Sequence, residues 1–215
     1  EVDNLDMLME NPDRPNVFIL GGLKISDAFG MMETVLANGS ADKIITSGVT
    51  GNLMLIAKGY DLGETTMNFL KERNLDKFLK PAREYLSKYG DRIELPRDLA
   101  YDNNGIRTEI GVDDLPVEAL FLDIGQKTIQ DYEEIIAHAG TAFVNGPAGV
   151  YENPMFQKGT KAIWESLAKS PAYTVVGGGD TVSAAQHFID TADINYVCTA
   201  GGAMVRYLSG ITMPL

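Results

Sequence analysis

Cysteine and histidine are scarce in this sequence. One of the 215 residues is a cysteine, Cys198, and two are histidines, His138 and His187. A single cysteine excludes a disulfide framework within the chain and fits a reducing compartment. Two separate histidines disfavour a zinc site, which needs a cluster of ligands. We therefore interpret Cys198, at the end of a predicted strand, as a small core residue.

Positive charge is scarce as well. Lys and Arg total 18 against 30 Asp and Glu, which gives a formal net charge of -12. Broad nucleic-acid binding relies on a basic surface, so we expect no nucleic-acid partner. A small anion remains possible, because backbone N–H groups and one or two cations suffice to hold it. The acidic charge also favours docking against a basic partner.

Long hydrophobic segments are absent. No apolar run approaches the roughly 18 residues of a membrane span, so we expect no membrane partner. The first residues, EVDNLDMLMENPDRP, are acidic and polar, unlike a signal peptide. We expect a cytoplasmic protein.

Two common nucleotide-binding motifs are also missing. No G-x-x-x-x-G-K-[ST] segment occurs, which disfavours a P-loop enzyme, and no G-x-G-x-x-G follows the first predicted strand. A nicotinamide-binding Rossmann domain is therefore disfavoured. An NAD-using dehydrogenase domain is kept as the alternative from a different class of enzyme.

The sequence does contain a repeated unit, in which a short apolar strand leads through a glycine turn into a helical pattern. The predicted strand ends are 17–22, 43–48, 119–125, 142–147, 173–180 and 195–202. Helical patterns follow at 51–58, 65–79, 127–138, 156–169, 181–189 and 202–208. The strands lack polar alternation, as expected of strands buried on both faces. We predict an α/β fold, a doubly wound, Rossmann-like six-stranded parallel sheet with helices on both faces.

Two local features refine this prediction. Ser26 or Asp27 is predicted to cap a helix whose apolar face carries Phe29, Met32, Val35 and Leu36. Residues 92–112 interrupt the rhythm, and the Asn103-Asn104-Gly105 segment predicts a hairpin or excursion near the sheet edge.

The N-terminal stretch predicts a helix that ends at Asn11-Pro12. Its apolar residues at helical spacing are Val2, Leu5, Leu8 and Met9. We interpret residues 1–15 as a leading interdomain helix or linker with a face for docking, and residues 16–215 as the nucleotide-binding domain.

Glycine marks the carboxyl ends of the predicted strands, where ligands bind in parallel sheets. The strongest motif is Gly177-Gly178-Gly179-Asp180-Thr181, followed by a helix. Bare N–H groups at a helix start suit an anion, and Asp180 suits a Mg²⁺ that bridges phosphates. Plain turn chemistry for the glycines, and an N-cap role for Asp180, are the alternatives.

Two further motifs belong to the same edge. Asn145 ends a strand and precedes Gly146-Pro147, so its amide can donate to a phosphate, while Glu152 can accept from ribose hydroxyls. Lys24 follows Gly21-Gly22 and can reach phosphates as a compact cation. A rigid Gly-Pro turn with a solvated glutamate, and a surface lysine, are the alternative interpretations.

Together these segments resemble phosphoglycerate kinase, in particular its C-terminal, nucleotide-binding domain. The resemblance runs from about residue 14 to the end and is carried by RPNVFILGGLKISDAF, LFLDIGQKTIQDY, FVNGPAGVYENPMFQKGT, VVGGGDTVSAAQ and CTAGGAMVRYLSG. The phrases LANGSADKIITSGVTGNLML and SGITMPL are similar to the archaeal branch.

The resemblance implies roles for residues of this chain. Gly178, Gly179, Asp180 and Thr181 would hold the phosphates of ADP or ATP and their Mg²⁺, with Gly178, Gly179 and Lys24 at the transferring group. Glu152 would bind the ribose. Asn145 would assist at the phosphates, Pro147 with nearby glycines would frame the adenosine, and Gly201-Gly202 would point a second helix N-terminus at the cleft.

Some positions depart from the family pattern. Ala28 stands where many relatives have a second lysine, Ala200-Gly201-Gly202 replaces three glycines, and Ser47-Gly48 replaces a glycine pair. The resemblance also implies an N-terminal phosphoglycerate-binding domain, with its basic patch and catalytic arginine, as a partner that this chain lacks. We expect a chain that binds nucleotide and is inactive alone. The same-class alternative is a non-catalytic nucleotide-binding module.

Overall fold

The computed structural model describes residues 2–198 and 201–210, with side chains from Leu5 onward. Within these ranges the chain forms nine strands in two sheets and nine α-helices. The predicted docking residue Val2, as a side chain, and Ala200 lie outside the described part.

The main sheet has six strands, all parallel, in the order β3-β2-β1-β7-β8-β9. Its strands are β1 (Asn16–Leu20), β2 (Lys43–Thr46), β3 (Ile93–Glu94), β7 (Thr141–Asn145), β8 (Tyr173–Gly177) and β9 (Tyr196–Cys198). Every residue of β1 is buried, including the polar Asn16, and the apolar run over 17–20 is typical of a strand covered on both faces. The predicted six-stranded parallel sheet is confirmed.

The second sheet is antiparallel, in the order β5-β4-β6, with β4 (Asp98–Asn103), β5 (Ile106–Gly111) and β6 (Phe121–Ile124). The predicted hairpin at Asn103-Asn104-Gly105 is confirmed. Asn104 and Gly105 turn the chain at φ of 53° and 82°.

One strand assignment is wrong. Residues 119–125 were expected in the parallel sheet, but β6 belongs to the second sheet, and the sixth parallel strand is the two-residue β3. A short apolar run has the same composition in either sheet, so its pattern does not identify its neighbours.

The helices are α1 (Val2–Met9), α2 (Ile25–Ala37), α3 (Gly48–Lys58), α4 (Gly63–Glu72), α5 (Leu79–Tyr89), α6 (Gln126–Ala137), α7 (Lys158–Lys169), α8 (Gly179–Phe188) and α9 (Gly201–Leu208). The single helix predicted over 65–79 is wrong, because α4 ends at Glu72 and Asn74 has a φ of 53°. A separate helix, α5, begins at Leu79.

Two hydrophobic cores cover the two faces of the main sheet. Phe18 and Leu20 of β1 pack on one face with α1, α2 and α9, whereas Val17 and Ile19 pack on the other with α6, α7 and α8. Alternate residues of one strand thus enter opposite cores, which is the doubly wound arrangement.

The start of α2 differs from the prediction. The helix begins at Ile25 after Lys24, which makes no side-chain cap, and Ser26 and Asp27 lie inside its first turn. The predicted capping role of Ser26 or Asp27 is therefore wrong. The predicted apolar face is confirmed, since Phe29, Met32, Val35 and Leu36 are all buried.

Helix α1 packs onto its own domain. Leu5 and Leu8 are buried in the core beside α9, and Asn16 donates from Nδ2 to the carbonyl of Leu8 at 2.9 Å. Tyr207 of α9 also donates from its hydroxyl to the Asp6 carboxylate. Leu5 and Leu8 are thus not available as a docking face, and that part of the prediction is wrong.

Among the described residues no helix combines the length and apolar character needed to cross a bilayer.

Candidate functional site

The site lies where the strand order of the main sheet reverses. From β1 the chain proceeds outward through β2 to β3, and from β7 it proceeds outward in the other direction through β8 to β9. The crevice at the carboxyl ends of β1 and β7 is the place where doubly wound sheets bind ligands. Gly21 follows β1 there, and Asn145 ends β7.

The two chain segments cross closely at this point. Gly21 donates its N–H to the carbonyl of Asn145 at 2.9 Å, and Gly22 donates to the carbonyl of Pro147 at 2.8 Å. A Cβ on Gly146 would lie 2.3 Å from the carbonyl oxygen of Gly21, and Gly146 has a φ of +88°. Only glycine fits at Gly146, so this crossing fixes the floor of the crevice.

A cavity of about 310 Å³ opens above the crossing. It gathers nearly all the residues predicted from the sequence, because they follow different strands at one edge of the sheet. Those that line it are Gly21, Gly22, Lys24, Asn145, Pro147, Gly178, Gly179, Asp180 and Thr181. Gly201 and Gly202 line it as well, so the expected second helix N-terminus does reach the cavity.

Two helices begin at this cavity, α8 at Gly179 and α9 at Gly201. The N–H groups of a first helical turn have no acceptor within the helix, and the helix dipole adds positive potential there. A Cβ on Gly201 would lie 2.9 Å from Cα of Gly178, whereas a Cβ on Gly179 would meet nothing within 4 Å. The cavity therefore offers open backbone donors to an anion.

Lys24 and Asp180 form an ion pair at the cavity, with Nζ to Oδ2 at 3.1 Å. Their side chains are 68% and 76% exposed, so the pair contributes little to stability and either partner can exchange it for a ligand. The N-cap of α8 is Gly178, with no side-chain cap. The N-cap interpretation of Asp180 is therefore wrong.

Asn145 and Thr181 join the two turns around the cavity. The Asn145 amide donates from Nδ2 to the carbonyl of Gly177 at 2.8 Å, and Thr181 Oγ1 accepts from Gly146 N–H at 2.8 Å. One N–H of Asn145 is thus engaged by the protein, and no acceptor among the described residues takes the second, which is available to a ligand. Thr181 is buried and ties the loop after β7 to α8.

A second cavity, also of about 310 Å³, adjoins the first and shares Gly22, Leu23 and Pro147 with it. Its walls are mainly apolar, and Glu152 lies at this cavity and not among the residues of the first. The apolar residues here were not predicted as site residues, because four of them lie in segments with core-like patterns and Leu23 and Val150 are exposed in loops. They are Leu23, Val49, Phe69, Phe121, Leu122 and Val150.

The carboxylates at the first cavity are Asp180 and Asp27. In the described part of the chain no group of three His, Cys, Asp or Glu residues could hold a metal ion by itself. Mg²⁺ commonly takes one or two protein carboxylates and completes its shell with phosphate oxygens and water. This donor set fits a magnesium ion that arrives with phosphates and does not fit a metal held by protein alone.

The departures from the family pattern also have structural counterparts. Ala28 is buried in the core, so this position contributes no charge to the cavity. Ser47 is buried beside Gly21, and its hydroxyl has no hydrogen-bond partner among the described residues. Lys24 is left as the one cation among the cavity-lining residues that the structure describes.

The fold and the cavity define a doubly wound α/β protein with an anion-suited site at its topological switch point. The family model for phosphoglycerate kinase matches residues 1–211. The chain belongs to the phosphoglycerate kinase family. This membership removes the dehydrogenase alternative.

Relatives with known names support the assignment over the full chain. The phosphoglycerate kinase of Methanothermus fervidus is 41% identical over 214 residues, covering 100% of this chain and 52% of the relative. That of Thermoplasma acidophilum is 39% identical over 217 residues, covering 100% of this chain and 53% of the relative. The chain thus spans about half the length of the curated relatives it matches.

Solved structures of phosphoglycerate kinases have the same fold as this chain. The crystal structure of phosphoglycerate kinase from Pyrococcus horikoshii OT3 superposes with a TM-score of 0.92 at 33% identity, covering 99% of this chain and 53% of that one. The structure of the Coxiella burnetii enzyme gives a TM-score of 0.87 at 33% identity, covering 98% of this chain and 54% of that one.

Proposed function

We propose that this chain is the C-terminal, nucleotide-binding half of a phosphoglycerate kinase. In this proposal it holds Mg-ADP or Mg-ATP while a phosphoryl group moves between 1,3-bisphosphoglycerate and ADP. The observation that carries the proposal is the cavity at the switch point, where two helix N-termini and Lys24 converge.

The phosphates would occupy this first cavity. The N–H groups of Gly179 and Asp180 at the start of α8 would donate to phosphate oxygens, and Gly201 brings the dipole of α9 to the same place. Lys24 would leave its ion pair with Asp180 to contact the phosphate in transit. Its compact charge suits a group whose position changes during transfer.

The nucleoside would occupy the apolar cavity next to it. A purine ring buries apolar surface between side chains such as Val49 and Val150, and few polar groups are needed to orient it. Glu152 lies at this cavity and is exposed, so its carboxylate can accept hydrogen bonds from ribose hydroxyls. Pro147 borders both cavities, where the adenosine and the phosphates would meet.

Asp180 would hold the Mg²⁺ that accompanies the nucleotide, since its carboxylate lies at the cavity beside the helix N-terminus. When bound, the ion neutralises phosphate charge during transfer. The contribution of this chain is to position the nucleotide and to supply backbone dipoles and Lys24 around it.

The acid substrate would bind to a partner half. Phosphoglycerate carries several negative charges and needs clustered Arg and Lys, whereas Lys24 is the one cation at the described first cavity. Closure of the two halves would exclude water from the transfer. The chain alone is therefore expected to bind nucleotide without turning over.

Calorimetry with Mg-ADP, Mg-ATP and NAD⁺ tests the proposal. We expect dissociation constants roughly between micromolar and millimolar for the adenine nucleotides with Mg²⁺ and no specific heat with NAD⁺. A coupled assay for phosphoglycerate kinase should show no turnover by the chain alone and some turnover with the N-terminal half added. If neither nucleotide gives binding heat at millimolar concentration, the proposal is refuted. Binding without any reconstituted turnover favours a non-catalytic module.

A further inference from the structure

A buried ion pair lies behind the nucleoside cavity, outside every role considered so far. Asp123 on β6 has no exposed side-chain surface, and its Oδ2 lies 2.8 Å from Nη1 of Arg107 on β5. Burying two charges is costly unless further hydrogen bonds satisfy them.

Asp123 is saturated by backbone donors from two elements. Its Oδ2 accepts from Gly159 N–H at 2.9 Å, at the start of α7, and its Oδ1 accepts from Ile124 N–H at 2.9 Å. A Cβ on Gly159 would lie 2.3 Å from Oδ1, and a Cβ on Gly149 would lie 2.7 Å from it. Gly149 in the loop after β7 and Gly159 in α7 thus let the backbone of two segments approach the same carboxylate.

Arg107 makes the complementary contacts. Nη1 donates to the carbonyl of Met155 at 2.9 Å, and Nη2 donates to the carbonyl of Ile124 at 2.9 Å and to Glu109 at 3.1 Å. Lys158 lies 3.7 Å from Glu109, so Glu109 and Lys158 complete the charged groups around the pair. The planar guanidinium fork is needed to reach these acceptors at once.

Two of the contacts around the pair reach residues 146–157, the loop between β7 and α7: Arg107 donates to the carbonyl of Met155, and Gly149 lies close against Asp123. Val150 in this loop also donates to the carbonyl of Leu122, next to Asp123, at 2.8 Å. Val150 and Glu152 are the loop residues that line the nucleoside cavity beyond Pro147 and Gly149. The far half of the loop, which contains both residues, is therefore hydrogen-bonded to Leu122 and Arg107, and Asp123 holds the guanidinium of Arg107 in place.

The near half of the loop is anchored separately. Gly146 is held by Thr181 and Pro147 by Gly22, at 2.8 Å each, and both anchors belong to the phosphate cavity. A change at Arg107 can loosen the far half without disturbing the phosphate cavity.

We propose that Arg107 and Asp123 are positioning residues for the nucleoside half of the site, holding the 146–157 loop so that Val150 and Glu152 meet the adenosine. The inference rests on the proposed nucleotide binding. It also gives the β4–β5 hairpin a function, because that hairpin carries Arg107.

The test compares Mg-ADP with Mg-pyrophosphate, a probe that has the phosphates without the nucleoside. Arg107→Met keeps the apolar stem and removes the guanidinium. We expect it to weaken Mg-ADP about tenfold, the cost of ordering a loosened loop, and to leave Mg-pyrophosphate affinity unchanged. Arg97→Met is the matched control. Arg97 also joins the hairpin region to a neighbour, since its Nη2 lies 2.7 Å from Asp131 on α6, but its hydrogen bonds among the described residues do not reach the 146–157 loop.

Two further variants keep the test decisive. If Arg107→Met fails to fold by circular dichroism, Arg107→Lys keeps a positive charge beside Asp123 but loses the fork, and it should show the same selective loss at smaller size. When Glu152→Ala is already present, Arg107→Met should weaken Mg-ADP affinity by a smaller factor, because both residues act through the same loop.

Each outcome bears on the inference. A selective loss of Mg-ADP affinity supports it. Four results would overturn the inference while the proposed function stands. They are equal weakening of both probes, no weakening of Mg-ADP binding, full additivity with Glu152→Ala, and an equal effect of Arg97→Met. If the unmodified chain binds no Mg-ADP, the proposed function and this inference fail together, which the wild-type titration alone reveals.

Discussion

The substitution Asp180→Asn tests whether Asp180 acts as a metal ligand or as a structural residue. Asp180 is exposed at the first cavity, and the ion pair with Lys24 is its one side-chain polar contact among the described residues. Asparagine has nearly the same shape but no charge. Because an exposed ion pair is worth about 1 kcal/mol or less, the substitution should leave the free energy of unfolding almost unchanged.

Its effect on ligand binding should depend on Mg²⁺. A single charge and a double charge about 4 Å apart in a water-like medium attract by about 2 kcal/mol, which is roughly 30-fold in affinity. Mg-ADP binding should weaken by about that factor. Free ADP should bind as well as before or better, because the substitution removes a negative charge beside the phosphates.

Calorimetry of both proteins with ADP, in excess Mg²⁺ and in a chelator, measures the ratio of the two affinities. Asp27→Asn is the control, because Asp27 lines the same cavity from α2 and has no assigned metal role. If Asp180→Asn weakens ADP equally with and without Mg²⁺, or if Asp27→Asn has the same effect, Asp180 is not the metal ligand.

Other substitutions test the remaining roles. Lys24→Ala should lower turnover of the reconstituted enzyme more than it lowers Mg-ADP affinity, because a group that meets the phosphate in transit acts mainly in the transition state; equal losses would indicate uniform binding. Gly146→Ala should destabilise the chain by at least about 2 kcal/mol in urea unfolding, because the φ is +88° and the new Cβ would lie 2.3 Å from a carbonyl oxygen, whereas Gly179→Ala should not. Asp98→Ala should cost about 2 kcal/mol, because its carboxylate accepts from Lys127 N–H at 2.9 Å and Thr128 N–H at 2.8 Å at the start of α6. Burial raises the pKa of Asp123 from 3.8 to about 6 against the opposing hydrogen bonds and the charge of Arg107. The stability that this carboxyl contributes is therefore full below pH 3.8 and lost as the pH rises through about 6, a change of roughly 3 kcal/mol in the free energy of unfolding. Urea unfolding of Asp123→Asn at the two ends of that pH range should not show this change.

The convergence of the site could be predicted because parallel strands share one carboxyl edge. Lys24, Asn145 and Asp180 are far apart in the sequence, yet Asn145 ends a strand and the other two follow one by a few residues, so the sheet brings them to one cavity. The rule needs only the strand ends, which glycine marks clearly. It does not need the strand order, which the sequence did not reveal.

The parts that could not be predicted depend on which surfaces meet. Leu5 and Leu8 form an amphipathic face, but the spacing of such a face does not identify its partner, which proved to be the same domain. Phe69 and Phe121 lie in segments with core-like patterns, and only the packing of the second sheet beside α4 leaves a cavity between them. Residues 119–125 have the composition of a central strand, yet pair in the second sheet.

The net charge of -12 and the anion-suited cavity are compatible because they act over different distances. Exposed charges more than about 10 Å apart are largely screened at physiological salt, so the total charge says little about one crevice. Within the crevice the charged side chains are Lys24, Asp180 and Asp27, and the first-turn N–H groups of α8 and α9 lie beside them. Because Asp180 offsets Lys24, peptide dipoles in a fixed arrangement supply most of the positive potential there. Neutralising distant carboxylates should barely change nucleotide affinity, whereas moving the start of α8 by a single residue should change it greatly.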